Sequence, residues 1–114
     1  MSRKLEAAQR KLAPAPIFAA LGDATRLALI ERLSGGEPQS IAQLTEGTEL
    51  TRQAVTKHLR VLEGVQLVRS VRRGRESLFQ LDPAPIRIVR DYTDVVAQQW
   101  DQALARLKKF VEDE

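Results

Sequence analysis

The chain has one histidine, His58, and no cysteine. Those two facts bound its chemistry. Disulfides, thiolate metal sites and cysteine nucleophiles are excluded, and a reducing cytoplasm is allowed. A metal site needs several ligands on neighbouring elements, and His58 has no cysteine or second histidine to join it. Asp91 and Asp94 stand three apart and could touch one hard cation, but exposed acids share that spacing by chance. As a general base, His58 would need a nucleophile and an orienting acid, and no such constellation is evident. A phosphate loop and a Ser-His-Asp spacing are also missing. The sequence therefore predicts no catalytic residue, no metal ligand, no cofactor and no enzyme.

The residues around His58 carry binding chemistry instead. Residues 51–62 read TRQAVTKHLRVL. Segment 51–75 holds Arg52, Lys57, Arg60, Arg69, Arg72, Arg73 and Arg75 against one acid, Glu63, a local charge of +6. The whole chain carries 18 basic and 15 acidic residues, so the remainder is net −3. A patch this localised is the footprint of a phosphate-backbone partner, whereas a merely solvated face mixes signs.

A helical wheel at about 100° per residue splits the segment. With Val55 at the centre, Leu59 and Leu62 fall within about 40° and form a core face. Gln53, Lys57 and Arg60 lie opposite, with Thr56 at the edge. Glutamine can bond adenine bidentately in the major groove, lysine or arginine can bond guanine or phosphate, and a threonine methyl can meet a thymine methyl. Thr51, Arg52 and Gln53 occupy the helix start, the part that enters a groove deepest and whose free amides suit phosphate. His58 sits about 60° from the core centre. That flank position predicts a partly buried structural histidine.

Several elements must position this helix. Residues 4–12 predict a short helix with Leu5, Ala8 and Leu12 on one side, and Pro14 and Pro16 end it and start the next piece. Ile17, Phe18 and Leu21 form a short apolar turn. Asp23 caps a helix to about Ser34, with Leu27, Ile30 and Leu33 inward, and Gly35 and Gly36 stop it. Ser40 and Gln43 make a capping box. Gly47 breaks that short helix, and Thr51 caps the next, over 52–63. A short helix, a tight turn at 47–50 and a longer helix have helix-turn-helix spacing.

After it the period changes. Runs 67–71 and 77–81 are β-prone, and Gly74 can supply the positive φ of a hairpin turn. Arg72, Arg73 and Arg75 surround that tip. Pro83 and Pro85 separate the hairpin from a last helix, 86–111. There Val89, Val96, Ala103 and Phe110 recur every seven residues, joined by Tyr92, Trp100 and Leu107. Part of this stripe must cover the domain. The remainder is expected to meet a partner subunit, the alternative being a helix packed wholly on its own domain. No stretch is apolar enough for a signal peptide or a membrane span, so a soluble cytoplasmic protein without membrane contact is expected.

These segments together resemble the ArsR/SmtB family of winged-helix bacterial repressors. The matching residues are FAALGDATRLALIERL (18–33), SIAQL (40–44), LTRQAVTKHLRVLE (50–63), LVRS (67–70) and RRGRESLFQLDP (72–83). The resemblance implies a mainly α fold with a small β-hairpin, a winged helix-turn-helix with a long C-terminal dimerisation helix. It implies one domain over 1–114, with an N-terminal helix and linker at 1–16, the winged-helix core at 17–82 and the dimerisation helix at 83–114. It also implies a recognition helix at 52–63, a wing at 67–81 and a homodimer joined through the first and last helices. Leu5, Val89, Tyr92, Val96, Trp100, Ala103 and Leu107 are its expected seam. Each protomer would read half of a near-palindromic double-stranded operator, typically to repress transcription.

Two departures follow. Many members carry glycine where this chain has Glu49 and Gln66, while Gly47 and Gly64 lie two residues earlier. Metal sensors of the family use cysteines in the helix before the recognition helix, or histidine and carboxylate sets in the last helix. Here the first holds Ser40, Ile41, Ala42, Gln43 and Leu44, and the second has Asp91 and Asp94 without histidine. Metal-controlled release is therefore not expected at the usual places. A small apolar effector of unknown identity near Phe18, Tyr92 or Trp100 stays open beside simple packing of those rings. A winged-helix module that binds protein is the other class of function. The basic wing and the polar outward face of 52–63 favour DNA.

Overall fold

Capped apolar stripes, interrupted by glycines, set the order of elements. The computed structural model describes residues 13–113. Its helices are α1 (Pro14–Leu21), α2 (Ala24–Leu33), α3 (Ile41–Thr45), α4 (Arg52–Gly64) and α5 (Pro83–Glu112). Its strands are β1 (Gln39–Ser40), β2 (Val68–Arg73) and β3 (Glu76–Leu81), in the order β1-β3-β2 with antiparallel pairing. The expected helix at 4–12, with Leu5, lies outside the described residues.

The three caps read from the sequence are all made. Asp23 Oδ1 accepts from the Arg26 backbone N–H at 3.0 Å. Ser40 Oγ accepts from Gln43 N at 3.1 Å while Gln43 Oε1 accepts from Ser40 N at 2.8 Å, both halves of the capping box. Thr51 Oγ1 accepts from Ala54 N at 3.1 Å. Each satisfies amides that the first turn of a helix leaves without partners.

Pro14 starts the next element as expected, while Pro83 and Pro85 do not separate the hairpin from the last helix but belong to it. Pro14 opens α1, and Pro83 and Pro85 lie in the first turn of α5 behind the Asp82 cap. A first-turn N–H has no helical acceptor, so a residue without one fits there. The last helix therefore starts at 83, and the expected division at 16/17 falls inside α1.

The core is built from Ile17, Leu33, Leu44, Val55, Leu59, Leu62, Leu67 and Val68, all fully buried, with Phe79 beside them. Leu27 is not in it: 47% of its surface is exposed. The buried arc of α2 runs through Leu29, Ile30 and Leu33 and includes half-buried Arg26. Leu27 stands about 110° from the middle of that arc. Strand β1 was not foreseen. It pairs Gln39 with Phe79 and Ser40 with Leu78, and two residues show no period.

In the hairpin Arg73 faces Glu76, leaving Gly74 and Arg75 as a two-residue turn with Gly74 at φ 61°. Arg72 and Arg73 therefore belong to β2, not to a five-residue tip. A two-residue turn keeps the strands in register with their natural twist.

The end of α4 shows where an expected glycine went. Gln66 N donates to Glu63 O at 3.0 Å and Leu67 N donates to Leu62 O at 3.0 Å. That pair of bonds is a Schellman closure, whose turning residue adopts the left-handed conformation. Gln66 does so at φ 63°. Its Cβ makes that conformation costly by about 1–2 kcal/mol. Gln66→Gly should raise unfolding stability by about 1 kcal/mol, net of the extra chain entropy of glycine. Urea denaturation checks this, and a lower midpoint in the variant would remove the strain assigned to Gln66.

Candidate nucleic-acid interface

Three leucine and valine side chains decide which way α4 faces. Val55, Leu59 and Leu62 are fully buried, which turns Gln53, Lys57 and Arg60 outward, all exposed. Arg52 is exposed at the helix start, and Thr56 is half-buried at the edge. The two threonines have internal duties as well. Thr51 caps the helix, and Thr56 Oγ1 donates to Arg52 O at 2.7 Å. Thr56 thus retains its methyl and acceptor lone pairs for a partner. Ile41 and Ala42 of α3 line one open groove together with Arg52, Gln53, Thr56 and Lys57. Sequence reasoning missed those two apolar residues. The turn between α3 and α4 brings them alongside, and spacing along either helix does not show it.

The cations differ in their surroundings. Arg60 Nη1 donates to Glu63 Oε1 at 2.9 Å, and Ser70 Oγ on β2 donates to Glu63 Oε2 at 3.0 Å. Among the described residues Arg52, Lys57, Arg72, Arg73 and Arg75 have no ion-pair partner. One carboxylate thus bridges α4 and β2. No group of three or more His, Asp or Glu that could hold a metal is found among the described residues. Asp91 and Asp94 are exposed on α5.

On α5, Ile86, Ile88 and Val89 pack against the core, and Tyr92 meets Phe18 edge to face with ring centres 5.7 Å apart. Val96 and Ala103 are half-buried. Between and beyond them Trp100, 64% exposed, and Leu104, Leu107, Phe110 and Val111 stand in solvent. No helix among the described residues is long and apolar enough to cross a membrane.

Comparison with known proteins agrees with this geometry. The family described as a helix-turn-helix domain matches residues 21–71. The HTH-type transcriptional regulator Rv2034 of Mycobacterium tuberculosis is 33% identical over 101 residues, covering 89% of this chain and 91% of the relative. Among solved structures, an ArsR-like transcriptional regulator from Rhodococcus sp. RHA1 superposes with a TM-score of 0.72 at 33% identity, over 90% of this chain and 93% of that one. The homodimeric winged helix-turn-helix DNA-binding domain of a possible ArsR-family regulator from Mycobacterium bovis shares the fold, with a TM-score of 0.59 at 20% identity over 93% of both chains.

His58 lies on the flank of α4, half-buried, as the wheel places it. Its Nδ1 is 3.3 Å from Arg26 Nη1 and 4.0 Å from Asp23 Oδ1, so it ties α4 to the start of α2. The backbone N–H of Arg26 holds the Asp23 carboxyl below its ordinary value; burial opposes it, and the charges of Arg26 and His58 and the N–H of Thr25 add to the lowering. The contribution of the charged cap is complete above the unfolded carboxyl's pKa and is lost as pH falls through the lower folded one. Asn caps a helix as well as Asp and does not titrate. Asp23→Asn should therefore lose less stability than the wild type between pH 7 and pH 3, as read from urea midpoints. Equal losses would place the acid sensitivity elsewhere.

Proposed function

The chain belongs to the ArsR-like family of helix-turn-helix transcriptional regulators and binds DNA, and we propose that it does so as a homodimer that represses transcription from a near-palindromic operator. The observation that carries the reading is the two-faced α4: one side fully anchored, the other exposed, polar and cationic. In this proposal Gln53 reads a base edge, adenine being its best bidentate partner, and Thr56 offers its methyl to thymine. Thr51 and Arg52 at the helix start, with Lys57 and Arg60, hold phosphates or guanine. Arg72, Arg73 and Arg75 hold the backbone beside the groove. Such phosphate contacts position the protein, and base contacts supply the specificity.

The second half of the proposal rests on α5. Thirty residues rise about 45 Å, more than one small core can cover. The exposed run from Trp100 to Val111 is a contiguous apolar surface of the kind that marks an interface. A second copy would cover Tyr92, Trp100 and Leu107, with Val89, Val96 and Ala103 along the inner edge and Leu5 from the N-terminal segment. The whole chain, 1–114, would act as one domain, with 17–82 as the reading unit and 83–114 as the joining helix. The Phe18–Tyr92 contact supports packing rather than an effector pocket for those rings. The regulator would work in the cytoplasm, without catalysis and without metal control at the usual family positions.

The decisive experiment is binding to the DNA upstream of the protein's own gene, repeated across a salt series. Lys57→Ala should weaken binding to all duplexes and reduce the slope of log affinity against log salt by about 0.9, the share of one phosphate. Absence of binding to any duplex at low salt would sink the reading. Trp100→Glu should convert the dimer to monomer in sedimentation velocity and cost operator affinity with it. A dimer unchanged by Trp100→Glu would remove α5 from the seam.

A further inference from the structure

Glu63 is the one acid among seven cations in segment 51–75, and both its carboxylate oxygens are occupied. We infer that Glu63 is a positioning residue that withholds Arg60 from DNA generally and releases it only where a phosphate is presented in the right place. The inference rests on the reading of α4 as the DNA-binding helix.

A carboxylate offers a guanidinium the same charge-assisted hydrogen bond as a phosphate oxygen. Glu63 and a phosphodiester therefore compete for one group. An isolated surface pair three residues apart on a helix would be weak and would simply travel with the arginine. This one is tethered. Oε2 accepts from Ser70 Oγ at 3.0 Å, which fastens the carboxylate to β2. The side chain is also the more sheltered partner, 30% exposed against 66% for Arg60. Arg60 must leave Glu63 to reach DNA, while Glu63 stays with the wing.

The two states then use different cations. Non-operator DNA is met by Arg52, Lys57 and the wing arginines, which have no ion-pair partner among the described residues. Operator DNA, seated in register by base contacts, adds a phosphate at Arg60 and draws it off Glu63. Glu63 thus sharpens discrimination without touching DNA. Its removal raises affinity for the wrong sequences.

The test uses fluorescence anisotropy on the full chain with two duplexes, one selected by the wild type from a randomised pool and one scrambled to the same composition. Glu63→Gln should bind the scrambled duplex about threefold tighter, the value of one released surface pair. Its salt slope there should steepen by about 0.9, since one more cation now meets a phosphate. Affinity for the selected duplex should change less, so the specificity ratio falls. Adding Arg60→Ala to Glu63→Gln should return the slope to the wild-type value. Asp101→Asn, an equal charge change on the exposed part of α5, should leave the ratio alone. An unchanged slope in Glu63→Gln, the same gain in Asp101→Asn, or a gain that survives Arg60→Ala would each overturn the inference. In those cases the wild type still binds, which separates this failure from failure of the DNA reading itself.

Discussion

The complete burial of Val55, Leu59 and Leu62 is the constraint on which everything else turns. Removing each such side chain from water is worth about 1.5–3 kcal/mol, so rolling α4 about its axis would forfeit several of these at once. The helix is held in one rotation, and that rotation alone determines which of its polar residues meet solvent. Leu33 and Leu44 from the preceding helices, and Leu67 and Val68 from the wing, pack into the same core. The outward polar face of α4 is therefore a by-product of the hydrophobic core.

Much of this was legible in the sequence, because it was local. Caps lie three residues from the amides they satisfy, and a helix face repeats with the helical period. Asp23, Ser40 and Thr51, and the inward set of α4, could be read for that reason. What was not legible depends on elements far apart in the chain. Leu27 fits an apolar stripe as well as Leu29 does, and only the placement of neighbouring elements chooses between them. Strand β1 exists because β3 offers an edge beside Gln39. The contact of Ser70 with Glu63 depends on how the wing folds back along α4, which no spacing encodes. The prolines are a different case: their first-turn role was available in principle, but a helix-breaking interpretation of the same residues competes with it.

Within the set proposed to face DNA, outward orientation and availability are separate properties. The wheel treats Lys57 and Arg60 alike, and both are exposed. Only coordinates distinguish a cation with solvent around it from one already engaged by a carboxylate. Thr51 and Thr56 make the same point with hydroxyls. Each belongs to the DNA-facing set by sequence, and each is first a structural part of the helix that presents it.

The Schellman closure at the end of α4 has a mechanical consequence. Leu62 and Leu67, joined by a backbone hydrogen bond, are both fully buried, and β2 begins at the next residue. Only residues 65–67, closed by that bond, separate α4 from β2. Glu63 and Ser70 add a second fastening across the same corner. The corner between the two elements is thus closed twice, once through the backbone and once through side chains. In the proposed complex, DNA would meet both sides of that corner as a single surface.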